Sequence, residues 1–78
     1  MPTLLRVEGI RFFFFSNEGS EPPHVHVEWA ECYAKFWLNP VSLARSVGCR
    51  PADLRRIREL VDRHSVLFEE RWNEYFPS

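Results

Sequence analysis

"HVHVEWAECYAKFW", His24 to Trp37, decides the fold. On both sides of Ala30-Glu31, apolar residues alternate with residues of another kind. Period-two alternation marks a strand that turns one face to a core. With Ala30 and Glu31 as a two-residue loop, Trp29 pairs with Cys32, Glu28 with Tyr33, Val27 with Ala34, His26 with Lys35, Val25 with Phe36 and His24 with Trp37. Cross-strand partners share a face. One face of the hairpin therefore carries Val25, Val27, Trp29, Ala34 and Phe36, and the other His24, His26, Glu28, Tyr33, Lys35 and Trp37. A slip of one residue would bury Lys35 and set Val27 among polar partners, so the register is well specified. The valine face calls for a covering helix. The histidine face is expected to look toward solvent, a groove or a partner.

Upstream, "SNEGSEPP" (16–23) reads as a loop, with Asn17, Gly19 and two prolines as turn and breaker residues. Pro23 biases Pro22 toward an extended conformation, so the chain enters the histidine strand already stretched. Before the loop, Leu4 to Glu8 and Ile10 to Ser16 read as two strands joined at Gly9. Phe12 to Phe15 put rings on both faces of the second, which demands cover on both sides. A helix on one side and a partner protein on the other would supply it, and a homodimer through this phenylalanine face is one form of that partner.

Downstream, "NPVSLARSVG" (39–48) reads as a short helix, with Asn39 as its cap, Pro40 in the first turn and Gly48 at the exit. A long helix is expected from Pro51 to about Tyr75. Leu54, Ile57, Val61, His64, Phe68, Trp72 and Tyr75 recur at spacings of three and four, opposite a charged side. Glu59 stands four residues before Arg63, a favourable helical ion pair. The expected architecture is α+β: a four-stranded antiparallel sheet followed by a short helix and a long C-terminal helix packed on one face.

The 78 residues form one domain (1–78), with 45% apolar and 15% aromatic residues. A chain of this size buries roughly 60% of its unfolded surface, and large rings help it do so. The net charge of −1 argues against broad non-specific nucleic-acid binding, which needs many cationic contacts to phosphate. It leaves room for a compact site acting on RNA. Two cysteines without a framework pattern, Cys32 and Cys49, read as reduced thiols. The start of the sequence reads as lacking a secretory leader, and no run of it is expected to span a membrane. The expectation is a soluble cytoplasmic protein.

Three kinds of chemistry compete on the histidine face. His24, His26 and Glu28 follow a His-x-His-x-Glu pattern, which offers metal ligands, but three side chains in line on one strand fan outward. Cofactor-free acid–base cleavage of RNA suits the face better. Histidine moves protons near neutral pH, Lys35 and Arg11 offer positive charge, and Tyr33 and Trp37 can stack on bases. The ordinary alternative is a solvated strand face with Glu28 paired to Lys35. His64, in the apolar stripe, reads as a structural histidine.

"MPTLLRVEGIRFFFFSNEGSEPPHVHVE", "AKFWLNPVSLA" and the closing "LFEERWNEYF" together resemble the small bacterial domain-of-unknown-function family 4160. The match runs over nearly the whole chain. It includes Arg11, Ser16, Asn17, Glu18, Gly19, Glu21, Pro22, Pro23, His24, His26, Lys35 and Trp37; the hairpin tip "WAECY" departs from the family's glycine-rich acidic turn. The resemblance implies the toxin half of a type II toxin–antitoxin pair, neutralised by a small protein antitoxin from another small family of unknown function, numbered 2442. The resemblance carries no catalytic mechanism with it; together with the residues of the histidine face it leads to the expectation of a small metal-independent ribonuclease. The catalytic group would be His24, His26, Lys35 and Glu28, with Arg11, Glu18, Tyr33 and Trp37 holding substrate. Glu18 and Glu28 would position or tune the histidines. The rival is a non-enzymatic module that docks a protein on the same face.

Overall fold

The computed structural model describes residues 3–77. Five antiparallel strands, β1 (Thr3–Val7), β2 (Ile10–Phe13), β3 (His24–Trp29), β4 (Cys32–Leu38) and β5 (Val41–Val47), form one sheet in sequence order. Two helices follow, α1 (Pro51–Arg63) and α2 (Ser65–Tyr75). The β3–β4 register is the one the alternation dictates, pair for pair from His24↔Trp37 to Trp29↔Cys32. Ala30 takes a left-handed conformation (φ 53°) to close the two-residue loop.

The helices cover the valine face. Ile10, Phe12, Phe14, Val25, Val27, Ala34, Phe36 and Leu38 meet Ile57, Leu60, Val61, Phe68 and Trp72 in one core. Phe12 stacks on Phe68 at 5.3 Å between ring centroids, and Phe14 meets Trp72 edge-on at 5.1 Å.

The stretch after β4 is a strand where a short helix was expected. Asn39 and Pro40 form a turn with a cis peptide bond between them, and "VSLARSV" then pairs with β4 along its length. Val41 and Leu43 fall on the core side and Ser42 and Arg45 on the other, with Ala44 as the extra residue of a bulge. Local signals at Asn39, Pro40 and Gly48 mimic helix caps, but the tertiary alternative satisfies the whole ladder of β4, which would otherwise be an open edge. The sheet therefore has five strands, not four.

The long helix is also divided. α1 begins on Pro51, with the Asp53 carboxylate accepting the Arg50 amide at 3.0 Å. At His64 the backbone leaves helical geometry (φ −107°, ψ 14°). The Ser65 hydroxyl donates to the Asp62 carbonyl at 3.2 Å, a local bond that competes with the helix ladder and bends it. His64 is half-buried at that bend. Glu59 lies 3.9 Å from Arg56 instead of pairing with Arg63.

Cys32 and Cys49 form a disulfide, which corrects the expectation of free thiols. The new strand β5 is the reason: it returns the chain to the hairpin tip, where Gly48 (φ +71°) passes so close that a Cβ there would lie 2.5 Å from the Glu31 carbonyl oxygen. Among the described residues, no helix is long and apolar enough to cross a membrane.

Candidate functional site

The face opposite the helices gathers residues from β2, β3, β4 and β5. Arg11 pairs with Glu28 and Phe13 with His26 across β2–β3, while Lys35 pairs with Arg45 and Tyr33 with Val47 across β4–β5. This face does not leave the histidines open to solvent. His24 is fully buried and His26 is 3% exposed. Of the expected surroundings (solvent, a groove or a partner), open solvent does not hold for the histidines, because the loop 16–23 folds back over them. Glu18 is carried inward by that fold. Its Oε1 accepts the Phe15 amide at 3.0 Å, and its carbonyl accepts the Glu21 amide at 3.1 Å. Gly19 lets the loop sit on the Phe76 ring, 3.0 Å from where a Cβ would stand.

Glu18 Oε2 approaches both histidines. It lies 2.5 Å from His26 Nε2 and 2.9 Å from His24 Nε2. The first contact is an aligned hydrogen bond. The second is close but misaligned, and His24 Nε2 is a buried nitrogen with no hydrogen-bond partner among the described residues. On the other side of its ring, His24 Nδ1 lies 2.9 Å from the Pro22 carbonyl, an acceptor only, so Nδ1 carries the proton. His26 Nδ1 lies 2.7 Å from the Tyr33 hydroxyl. Because His26 donates to Glu18 from Nε2, its neutral ring accepts the Tyr33 proton at Nδ1.

Burial raises the Glu18 carboxyl, but its contacts with His24, His26 and the Phe15 amide outweigh that and hold it below the ordinary glutamate value. Burial pushes His26 below the usual imidazole value against the opposing pull of Glu18. Tyr33 is raised, chiefly by burial, with Lys35 and Arg45 acting in the other direction.

Rings complete the packing. Phe13 stacks on His26 at 5.5 Å, Phe15 meets it edge-on at 4.5 Å, and the Arg11 guanidinium lies 4.3 Å over Phe13. Phe13, 1% exposed, is thus covered by its own chain, not by a partner. His24 sits between Trp37 and Trp72, at 5.5 and 4.9 Å.

The structure brings Glu18, His24, His26 and Tyr33 together and leaves the remaining candidates at the rim. Glu28 does not join the histidines. It points outward and holds Arg11 at 3.0 Å, while Arg11 Nε donates to Thr3. Lys35 is not bonded to either histidine: it donates to Glu21 at 2.8 Å and lies 4.6 Å over Trp37. An open groove beside Tyr33 is lined by Arg6, Gly9, Arg11, Glu28 and Glu31. Glu18 is the residue whose weight the sequence understated. No local pattern marks it, because its place depends on where the loop 16–23 comes to rest.

The family model described as Domain of unknown function (DUF4160) matches residues 9–73. No curated protein and no solved structure matches the chain.

Proposed function

This chain belongs to the DUF4160 family, and we propose that it is the toxin half of a toxin–antitoxin pair, acting on RNA at the groove beside Tyr33 and neutralised by a small protein partner. One observation carries the chemistry: Tyr33, half-buried at the edge of the groove, lies 2.7 Å from His26 Nδ1, with Glu18 bonded behind the ring. A carboxylate that fixes the tautomer of an imidazole, which in turn draws on a hydroxyl, is the arrangement of a proton relay.

In this reading a ribose 2′-hydroxyl gives its proton to the Tyr33 oxygen as the phenol proton passes to His26. The 2′ oxygen attacks the neighbouring phosphorus, the bond to the 5′ oxygen breaks, water protonates the leaving oxygen, and the hydroxide so formed takes the extra proton back from His26. Arg11 and Arg6 line the same groove and suit the phosphate charge; Lys35 and Arg45 flank Tyr33 from the far side. His24 and Glu28 have no direct part. The first is fully buried and the second is held by Arg11. The toxin role itself is supported by the family resemblance.

The test is incubation of purified, tag-free protein with structured and single-stranded RNA. Wild type is expected to leave 2′,3′-cyclic phosphate ends, and Tyr33→Phe to lose about 100-fold or more of that rate. Co-expression of the adjacent small gene is expected to relieve growth arrest. RNA left intact by wild type, with tight binding of that gene's product, would replace cleavage by protein docking on this face.

A further inference from the structure

We propose that Glu18, His24 and His26 bind one divalent transition-metal ion of the zinc type. This does not rest on the cleavage reading and describes another state of the cluster, since an ion on His26 Nε2 takes the place of the Glu18–His26 hydrogen bond that the relay uses. The donor atoms Glu18 Oε2, His24 Nε2 and His26 Nε2 lie within 4.8 Å of one another. The ligand set crosses from loop to strand. That answers the objection to a metal site made of His24, His26 and Glu28, whose side chains fan apart along β3.

The sharpest observation is His24 Nε2. It is fully buried, aimed at the cluster, and has no hydrogen-bond partner among the described residues. Its ring is fixed by the bond from Nδ1–H to the Pro22 carbonyl, which holds Nε2 toward the Glu18 oxygen 2.9 Å away in a misaligned contact. A buried nitrogen left without an aligned hydrogen bond is costly. A cation between the two atoms would give that nitrogen a partner.

The outer contacts fit the same purpose. Metal-bound histidines are oriented by a partner on the second ring nitrogen, and metal-bound carboxylates by a hydrogen bond to the second oxygen. Here the Pro22 carbonyl, the Tyr33 hydroxyl and the Phe15 amide occupy those positions. A tetrahedral zinc ion separates its ligand atoms by roughly 3.3 Å. Glu18 Oε2 therefore needs to draw back from each nitrogen by less than an ångström. Two imidazoles and one carboxylate select zinc and its first-row neighbours over calcium or magnesium, and three protein ligands leave a further position for water. An ion on His26 Nε2 would keep the proton on Nδ1, so Tyr33 would turn from donor to acceptor.

The experiment uses tag-free protein stripped with chelator. Co2+ is titrated by visible absorption and Zn2+ by calorimetry and thermal unfolding. One equivalent of Co2+ displaceable by Zn2+ is expected, with a midpoint about 10 °C higher at saturating Zn2+. His24→Gln and Glu18→Gln are expected to weaken uptake about 100-fold or more, with folding checked by circular dichroism. If either variant does not fold, nitrogen NMR of the wild-type histidine rings decides instead: Zn2+ should shift His24 Nε2 and His26 Nε2 and leave His64 unchanged. Lack of saturable uptake at millimolar metal, wild-type affinity in folded His24→Gln, or shifts confined to His64 would each overturn the proposal. RNA cleavage enters none of these readouts, so the metal site and the cleavage reading can fail separately.

Discussion

Glu18 Oε2 stands 2.5 Å from His26 Nε2, joining the loop 16–23 to the middle of strand β3. The contact makes the loop part of the sheet's second face. Without it, two buried imidazoles would face an apolar lining of Phe13, Phe15, Trp37 and Trp72.

Removing that carboxylate should therefore cost far more than removing an exposed one. Glu18→Ala is expected to lower unfolding free energy by about 2–4 kcal/mol, because the buried His26 Nε2 and the Phe15 amide lose their acceptor. Glu28→Ala, which breaks an ion pair whose glutamate side chain is 53% exposed, should change it by about 1 kcal/mol or less. Urea unfolding of the metal-stripped proteins makes the comparison; equal effects would deny Glu18 its central place.

The disulfide between Cys32 and Cys49 closes a loop of sequence separation 17. On chain-entropy grounds that restraint contributes about 3 kcal/mol. Reduction, or the paired change Cys32→Ala and Cys49→Ala, should shift urea unfolding by that order. Thiol titration of the untreated, unfolded protein should find no free sulfhydryl; two reactive thiols would contradict the bridge.

Two glycines with positive φ make a matched pair. Gly9 (φ +81°) has open space where a Cβ would go, so Gly9→Ala carries only the left-handed backbone cost of about 1–2 kcal/mol. Gly48 (φ +71°) has the Glu31 carbonyl oxygen 2.5 Å from that position. Gly48→Ala should destabilise more than Gly9→Ala, and because Gly48 adjoins Cys49 it should also slow formation of the disulfide during oxidative refolding. Thermal unfolding and quenched alkylation measure the two effects.

The ion pair between Glu8 at the first hairpin and Arg56 on α1 gives an acid-side signature. The Arg56 hydrogen bond holds Glu8 below its ordinary value of 4.5, with desolvation opposing it and the charges of Arg56 and Arg63 adding to it. A depressed carboxyl favours the folded state above its unfolded pKa. That contribution is full at neutral pH and is lost as pH falls through the lowered value. Glu8→Gln should lower stability slightly at pH 7 and converge with wild type at low pH. A constant difference at both ends would assign the effect to packing.

The hairpin at the centre of the sheet was legible because side-chain alternation has a period of two and a slip would exchange both faces at once. From "HVHVEWAECYAKFW" the register, the apolar face under the helices and the grouping of His24, His26 and Tyr33 all follow. The amphipathic stripe from Leu54 to Trp72 likewise fixed what covers the valine side. These are properties of neighbours in sequence, and elementary geometry reads them directly.

What lay beyond the sequence depends on contacts between distant segments. "NPVSLARSV" carries helix-like punctuation, and the open hydrogen-bonding edge of β4 decides that it is a strand. That strand brings Cys49 to Cys32. The helix bend at His64 turns on one serine hydroxyl competing for a backbone carbonyl. Above all, whether the histidines meet water or a carboxylate depended on where the loop 16–23 comes to rest, and the Phe76 ring beneath Gly19 helps to hold it there. Local pattern determined which side chains share a face; tertiary packing decided that Glu18 closes over that face and that Glu28 does not.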